Sequence, residues 1–127
     1  MVYNSLARLC DVRPLPYALR MENGFYPDLD EMESMITPRT KMMIINSPGN
    51  PTGQLFTREV LEGLAALAEK HNLIVISDEV YDSIVYDGRK ALCFASLPGM
   101  KDRTITVNSF SKAYAMTGWR LGYAVAH

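Results

Sequence analysis

The chain has 127 residues, 48% of them hydrophobic and 21% charged, which suits one globular domain with its own core. Lys and Arg (13) nearly balance Asp and Glu (14) for a net charge of −1, so no basic surplus argues for nucleic acid and no acidic tail is present. Cys10 and Cys93 are too few for a disulfide framework, no apolar run approaches the roughly 20 residues of a membrane span, and no signal peptide is visible. The expected setting is a reducing cytoplasm.

In chain order, residues 13–19 read as a weak strand, interrupted by Pro14 and Pro16 and so placed at an edge. Asp28 caps a short helix, with Glu31 three residues on and Pro38 beyond its end. Residues 42–46 form a β-branched, apolar run expected as a buried strand. Thr57 caps a helix over 58–70. Val60, Leu61, Leu64, Leu67 and Ala68 make its apolar stripe, while Arg58, Glu62, Glu69 and Lys70 face water. Residues 73–77 and 104–108 are further buried strands, and 121–126 is the last.

The alternation of strands and helices implies a parallel sheet covered by helices. The last strand departs from it. Only the segment 112–120 connects it to its predecessor, too short for the dozen or more residues that a parallel crossover needs, so it is expected to run antiparallel. The predicted fold is α/β: a three-layer α/β/α arrangement whose mostly parallel sheet has one antiparallel strand near the C-terminus. Ligands of open α/β sheets gather beyond the carboxyl ends of the strands. Asn50, Asp78 and Lys112 each lie at or shortly after such an end.

The stretch Ser109-Phe110-Ser111-Lys112, followed by Met116-Thr117-Gly118-Trp119-Arg120, carries the most chemistry. A lysine just past a strand can form a Schiff base with an aldehyde, and a hydroxyl and a guanidinium nearby can hold a phosphate. Pyridoxal phosphate carries both groups. Ser-x-x-Lys also occurs in serine nucleophiles of the penicillin-binding type, but the Ser-Asp-Asn and Lys-Thr-Gly partner motifs are missing. His71 falls at a helix C-terminus, where a cation complements the dipole, and His127 is the last residue. Neither sits in a ligand cluster, so no metal site is predicted.

Upstream lie Asn50-Pro51-Thr52-Gly53 and Ser77-Asp78-Glu79-Val80-Tyr81. Three motifs in this order resemble the class I/II aminotransferases, pyridoxal-phosphate enzymes of fold type I. Each motif is weak alone; their order and spacing together are specific. The resemblance runs over the whole chain, but only as the central part of the large domain. It implies that residues 1–127 are a partial cofactor-binding domain, with an N-terminal segment and a C-terminal small domain absent.

The resemblance assigns roles. Lys112 binds the cofactor and moves the substrate α-proton. Asp78, rather than its neighbour Glu79, pairs with the pyridinium nitrogen. Tyr81 and Asn50 bond the phenolic oxygen, and Ser109 and Arg120 hold the phosphate. Amino acid and 2-oxo acid substrates are implied, as is a homodimer of the full-length parent; no nucleic-acid or membrane partner is. Tyr81, where β-lyases and acyl-transferring synthases of the same fold often have histidine, fits a transaminase better than a C–S lyase-type relative. A non-catalytic cofactor-binding or assembly module of the same fold is the alternative for the chain in isolation.

Overall fold

Every second side chain of the first two strands is buried, and this alternation sets the sheet. The computed structural model describes residues 2–127. Strand β1 (Met42–Asn46) pairs in parallel with β2 (Ile74–Asp78), from Met42 against Ile74 to Asn46 against Asp78. Strand β3 (Thr104–Ser109) continues the parallel sheet, with Val75 opposite Thr104 and Asp78 opposite Val107. Strand β4 (Gly122–Val125) closes the order β1-β2-β3-β4 and runs antiparallel to β3, as the sequence leads one to expect. That connection holds one helical turn, α4 (Phe110–Ala113), and a 3-10 turn at Thr117–Trp119.

One face of the sheet carries the core. Met43, Ile45 and Val75 pack against Leu61, Leu64, Leu67 and Ala68 of helix α3 (Arg58–Lys70), with Met32, Phe94 and Met100 completing the cluster. Burying the larger of these side chains supplies roughly 1.5–3 kcal/mol each. The α3 stripe falls where its spacing predicts, with Ala65 added to it and Val60 at its margin. Thr57 caps α3 by accepting from the Val60 amide at 3.4 Å. Asp28 caps α2 (Leu29–Met35) by accepting from the Glu31 amide at 3.0 Å. The Glu31 side chain does not complete a capping box; it pairs with Arg20 at 2.5 Å. At the far end of α3, Glu33 of α2 accepts from Lys70 and His71 at 2.6 and 2.7 Å, and these bonds hold its carboxyl below the usual range.

Four boundaries differ from the sequence reading. Strand β2 begins at Ile74, because the Leu73 amide is spent on the Ala68 carbonyl at 2.8 Å to end α3, and it extends through Asp78. Strand β3 runs on to Ser109. Strand β4 is shorter than 121–126, since Leu121 turns the corner and its carbonyl accepts from Ser109 Oγ and the Phe110 amide. Residues 13–19 form no strand beyond a single bridge between Leu19 and Pro27. Pro14 and Pro16 offer no N–H to a ladder. No helix among the described residues is long and apolar enough to cross a membrane.

Tyr17 anchors that irregular segment to the sheet, its hydroxyl donating to the Ile44 carbonyl at 3.3 Å. Burial pushes its phenol from 10.0 up to about 12. The folded state therefore favours the neutral phenol, and the unfolded chain loses its proton first. Stability from this group is full below pH 10 and declines as the pH rises towards about 12. Urea denaturation across that window should show a loss of up to about 2–3 kcal/mol, and Tyr17→Phe should remove this part of the slope.

Helix α1 (Val2–Leu9) ends with the Val12 amide on the Ala7 carbonyl at 2.8 Å and the Asp11 amide on Arg8 at 3.1 Å. This is a Schellman end, and it holds Asp11 at φ +56°, a conformation in which a Cβ is strained. Asn72 occupies the equivalent place after α3 at φ +50°, with a side chain that tolerates it better. Asp11→Gly should stabilise the fold by about 0.5–1 kcal/mol, read as a higher denaturation midpoint.

Candidate active site

The C-terminal ends of the parallel strands deliver the candidate groups. The loop after β1 turns through cis Ser47–Pro48 and cis Asn50–Pro51 peptides. Asn46 organises it: its Oδ1 accepts from the Asn50 amide at 3.0 Å, and its Nδ2 donates to the Asp78 carbonyl at 3.2 Å. Asn50 is thereby placed beside the turn after β2, where its Nδ2 donates to Tyr81 Oη at 3.4 Å. As an acceptor in that bond, the Tyr81 hydroxyl keeps its own proton to donate elsewhere. Lys112 Nζ stands 5.7 Å from the centroid of the Tyr81 ring. A cation over an aromatic face in an exposed place gains roughly 0.5–1 kcal/mol. Asn50, Tyr81 and Lys112 thus come from three separate segments to one cluster.

The alternation of β2 separates its two neighbouring carboxylates. Ser77 and Glu79 are buried on the core side, where Glu79 Oε1 accepts from Ser77 Oγ at 2.8 Å and from the Phe94 amide at 2.9 Å. Asp78 points to the opposite face and is only half-buried. Its Oδ1 accepts from the Val80 amide at 3.2 Å. Its Oδ2 accepts from the hydroxyl of Tyr3, on α1. Burial, then the bond to Asp78, raises the Tyr3 phenol far above its ordinary range, so Tyr3 stays a donor at neutral pH. The sequence reading does not include Tyr3. A contact across 75 positions leaves no local pattern to find.

Ser109 and Arg120 lie on the same connection but are engaged locally. Ser109 Oγ caps α4, accepting from the Ser111 amide at 3.0 Å and donating to the Leu121 carbonyl at 3.1 Å. Arg120 sits at φ +53° and donates to the Thr117 carbonyl at 2.9 Å. Ser109 is half-buried, while Arg120, like Lys112, is exposed. Gly122 faces Ser109 across the β3–β4 pair, and a Cβ there would meet the Asn108 carbonyl oxygen at 2.9 Å. Only glycine lets the two backbones approach this closely.

A groove of about 980 Å³ runs between the segment after α1 and the edge of β1, lined by Tyr3, Tyr17, Ile44 and Asn46 among others. Its lining does not include Lys112 or Asn50. The rim rather than this groove therefore holds the amine, the phenol, the amide and the strand-end carboxylate. Together these can hold an aromatic aldehyde that also bears a phenolic oxygen and a basic ring nitrogen, through an amine for the aldehyde, two donors for the oxygen and a carboxylate for the nitrogen.

The family model described as "Aminotransferase class I and II" matches residues 2–127. The chain is 50% identical over 114 residues to an aromatic-amino-acid aminotransferase of Thermococcus litoralis, covering 90% of this chain and 29% of that protein. It is 47% identical over 125 residues to an arginine–pyruvate transaminase of Pseudomonas aeruginosa, covering 98% of this chain and 32% of that protein. Among solved structures, aspartate aminotransferase from Thermus thermophilus with maleate superposes with a TM-score of 0.92 at 40% identity, over 98% of this chain and 32% of that one. The chain therefore spans about a third of the length of these relatives.

Proposed function

The chain belongs to the class I and II aminotransferase family, and from that premise we propose that it forms the cofactor-binding centre of a pyridoxal-phosphate-dependent transaminase. The observation that carries the reading is the meeting of Lys112, Tyr81 and Asn50 at the strand ends that also present Asp78. In this reading residues 1–127 are the cofactor-binding part of the large domain. The substrates are an amino acid and a 2-oxo acid. Proteins similar to this chain are named for aromatic amino acids, for arginine with pyruvate and for aspartate, so the side-chain preference is left open.

Pyridoxal phosphate, when bound, supplies an electron sink for the pair left on the substrate α-carbon. The chain's own groups do the rest. The Lys112 amine would hold the aldehyde carbon and, released when the substrate amine takes its place there, would carry the α-proton as general base and acid. Asp78, kept in place by Tyr3 and the Val80 amide, holds a proton on the ring nitrogen. Tyr81 and Asn50 donate toward the phenolic oxygen. Ser109 and Arg120 hold the phosphate, Ser109 by releasing its bond to the Leu121 carbonyl.

The test is borohydride reduction of the gene product with pyridoxal phosphate, followed by peptide mass mapping. Label confined to Lys112 is the expected result. Label on Lys41, Lys70, Lys90 or Lys101 with none on Lys112 would refute the proposal.

A further inference from the structure

Beyond Glu79 the parallel ladder between β2 and β3 stops. The Glu79 amide makes the last backbone bond, to the Val107 carbonyl at 2.9 Å. The chain then folds back as a turn, closed by the Asp82 amide on the Glu79 carbonyl at 2.9 Å. Tyr81 lies inside that turn. Besides that Glu79 backbone bond, a side-chain hydrogen bond ties the turn back to β3: Asn108 Nδ2 donates to Asp82 Oδ2 at 2.9 Å. The same Asn108 side chain reaches forward, its Oδ1 accepting from the Ser109 amide at 2.7 Å. Ser109 in turn caps the single helical turn that carries Lys112.

Asn108 thus has one end on the Tyr81 turn and the other on the start of the Lys112 helix. It is 8% exposed, so water does not replace either partner cheaply. Its acceptor is a carboxylate, which makes the Asn108–Asp82 bond charge-assisted and stronger than a neutral pair. A second bond from Ser83 Oγ to Asp82 Oδ1, at 2.8 Å, fixes the carboxylate's other oxygen. No role in the proposed chemistry falls to Asn108 or Asp82, yet they supply a side-chain link between the two relevant segments, beside the contact of Lys112 with Tyr81 itself.

We propose that the Asn108–Asp82 pair is a clamp that fixes the Tyr81 hydroxyl relative to the Lys112 amine, which makes both residues positioning residues of the site. The inference rests on the proposed cofactor site. With the clamp intact, Tyr81 stays under the amine. Without it, the turn 80–83 keeps its bonds to Asp78 and Asn50 but loses its side-chain tie to the start of α4.

The clamp is tested in the gene product with Asp82→Ala, Asn108→Ala, the double variant, and Asp82→Asn, which keeps an oxygen acceptor for Asn108. Three quantities are read: amide hydrogen exchange at Ser109 and residues 80–84 without cofactor, the Kd for pyridoxal phosphate, and the pH midpoint of the bound cofactor's absorbance. Each alanine variant should speed exchange at both segments, weaken the Kd by about tenfold and displace the midpoint, while the double variant adds little to either. Asp82→Asn should restore the midpoint and most of the affinity. If Lys112 of the unsubstituted protein takes no borohydride-fixed cofactor, the proposed function fails and the clamp with it. If Lys112 is labelled but the alanine variants leave the midpoint unchanged, or their effects simply add, the clamp alone is overturned.

Discussion

Lys112→Ala is expected to lower α-proton exchange of amino acids by about 10³-fold or more, the range that a positioned general base supplies. The measurement is loss of the α-proton signal in deuterated solvent, with pyridoxal phosphate present and a panel of amino acids as substrates. The expectation follows from the placement of the amine. Lys112 is exposed, at the end of a single helical turn, with its Nζ 5.7 Å from the Tyr81 ring centroid. No ion pair to a carboxylate holds it there among the described residues, so the substitution leaves no buried charge uncompensated. Stability should therefore stay within about 0.5 kcal/mol of the parent, as for other surface changes. Tyr81→Phe is the matched control. It keeps the ring beneath the amine, removes the donor aimed at the phenolic oxygen, and should cost less than Lys112→Ala. Exchange at the parental rate in Lys112→Ala would place the base elsewhere.

How much of this was legible beforehand depends on the range of the interaction. Helix α3 was readable because its stripe repeats locally and Thr57 precedes it. The antiparallel β4 was readable because the segment 112–120, left between two strand-like runs, is too short to cross over. The convergence of Asn50, Asp78 and Lys112 on one rim follows from parallel strands alone. The choice of Asp78 over Glu79 came from family resemblance, though strand periodicity contains it: a strand that buries Val75 and Ser77 must bury Glu79 and turn Asp78 away. Ser109 as the cap of α4 was also available, since serine before a helical turn is a capping signal. Tyr3 on Asp78 and Asn108 on Asp82 were not available, because they join segments 75 and 26 positions apart through side chains alone.

The two neighbouring carboxylates should separate chemistry from folding. Asp78 lies on the half-buried face, its oxygens taken by the Tyr3 hydroxyl and the Val80 amide. Asp78→Ala removes the fixed negative charge from the ring nitrogen and nothing from the core. Its expected cost is about 10²–10³-fold in α-proton exchange, the loss seen when a pre-organised electrostatic partner is deleted. Its denaturation midpoint should move little. Glu79→Ala should do the reverse. It strands the Phe94 amide and the Ser77 hydroxyl in a buried place, each worth about 1–3 kcal/mol when unpaired. It should destabilise the fold sharply and leave exchange per folded molecule near the parental value. Urea denaturation and deuterium exchange on the same preparations give both numbers. Exchange that survives Asp78→Ala and is lost in a folded Glu79→Ala would move the role to the buried carboxylate. The Tyr3 contact refines the expectation: Tyr3→Phe leaves the Asp78 charge in place but frees its orientation, so its effect on exchange should fall between the parent and Asp78→Ala.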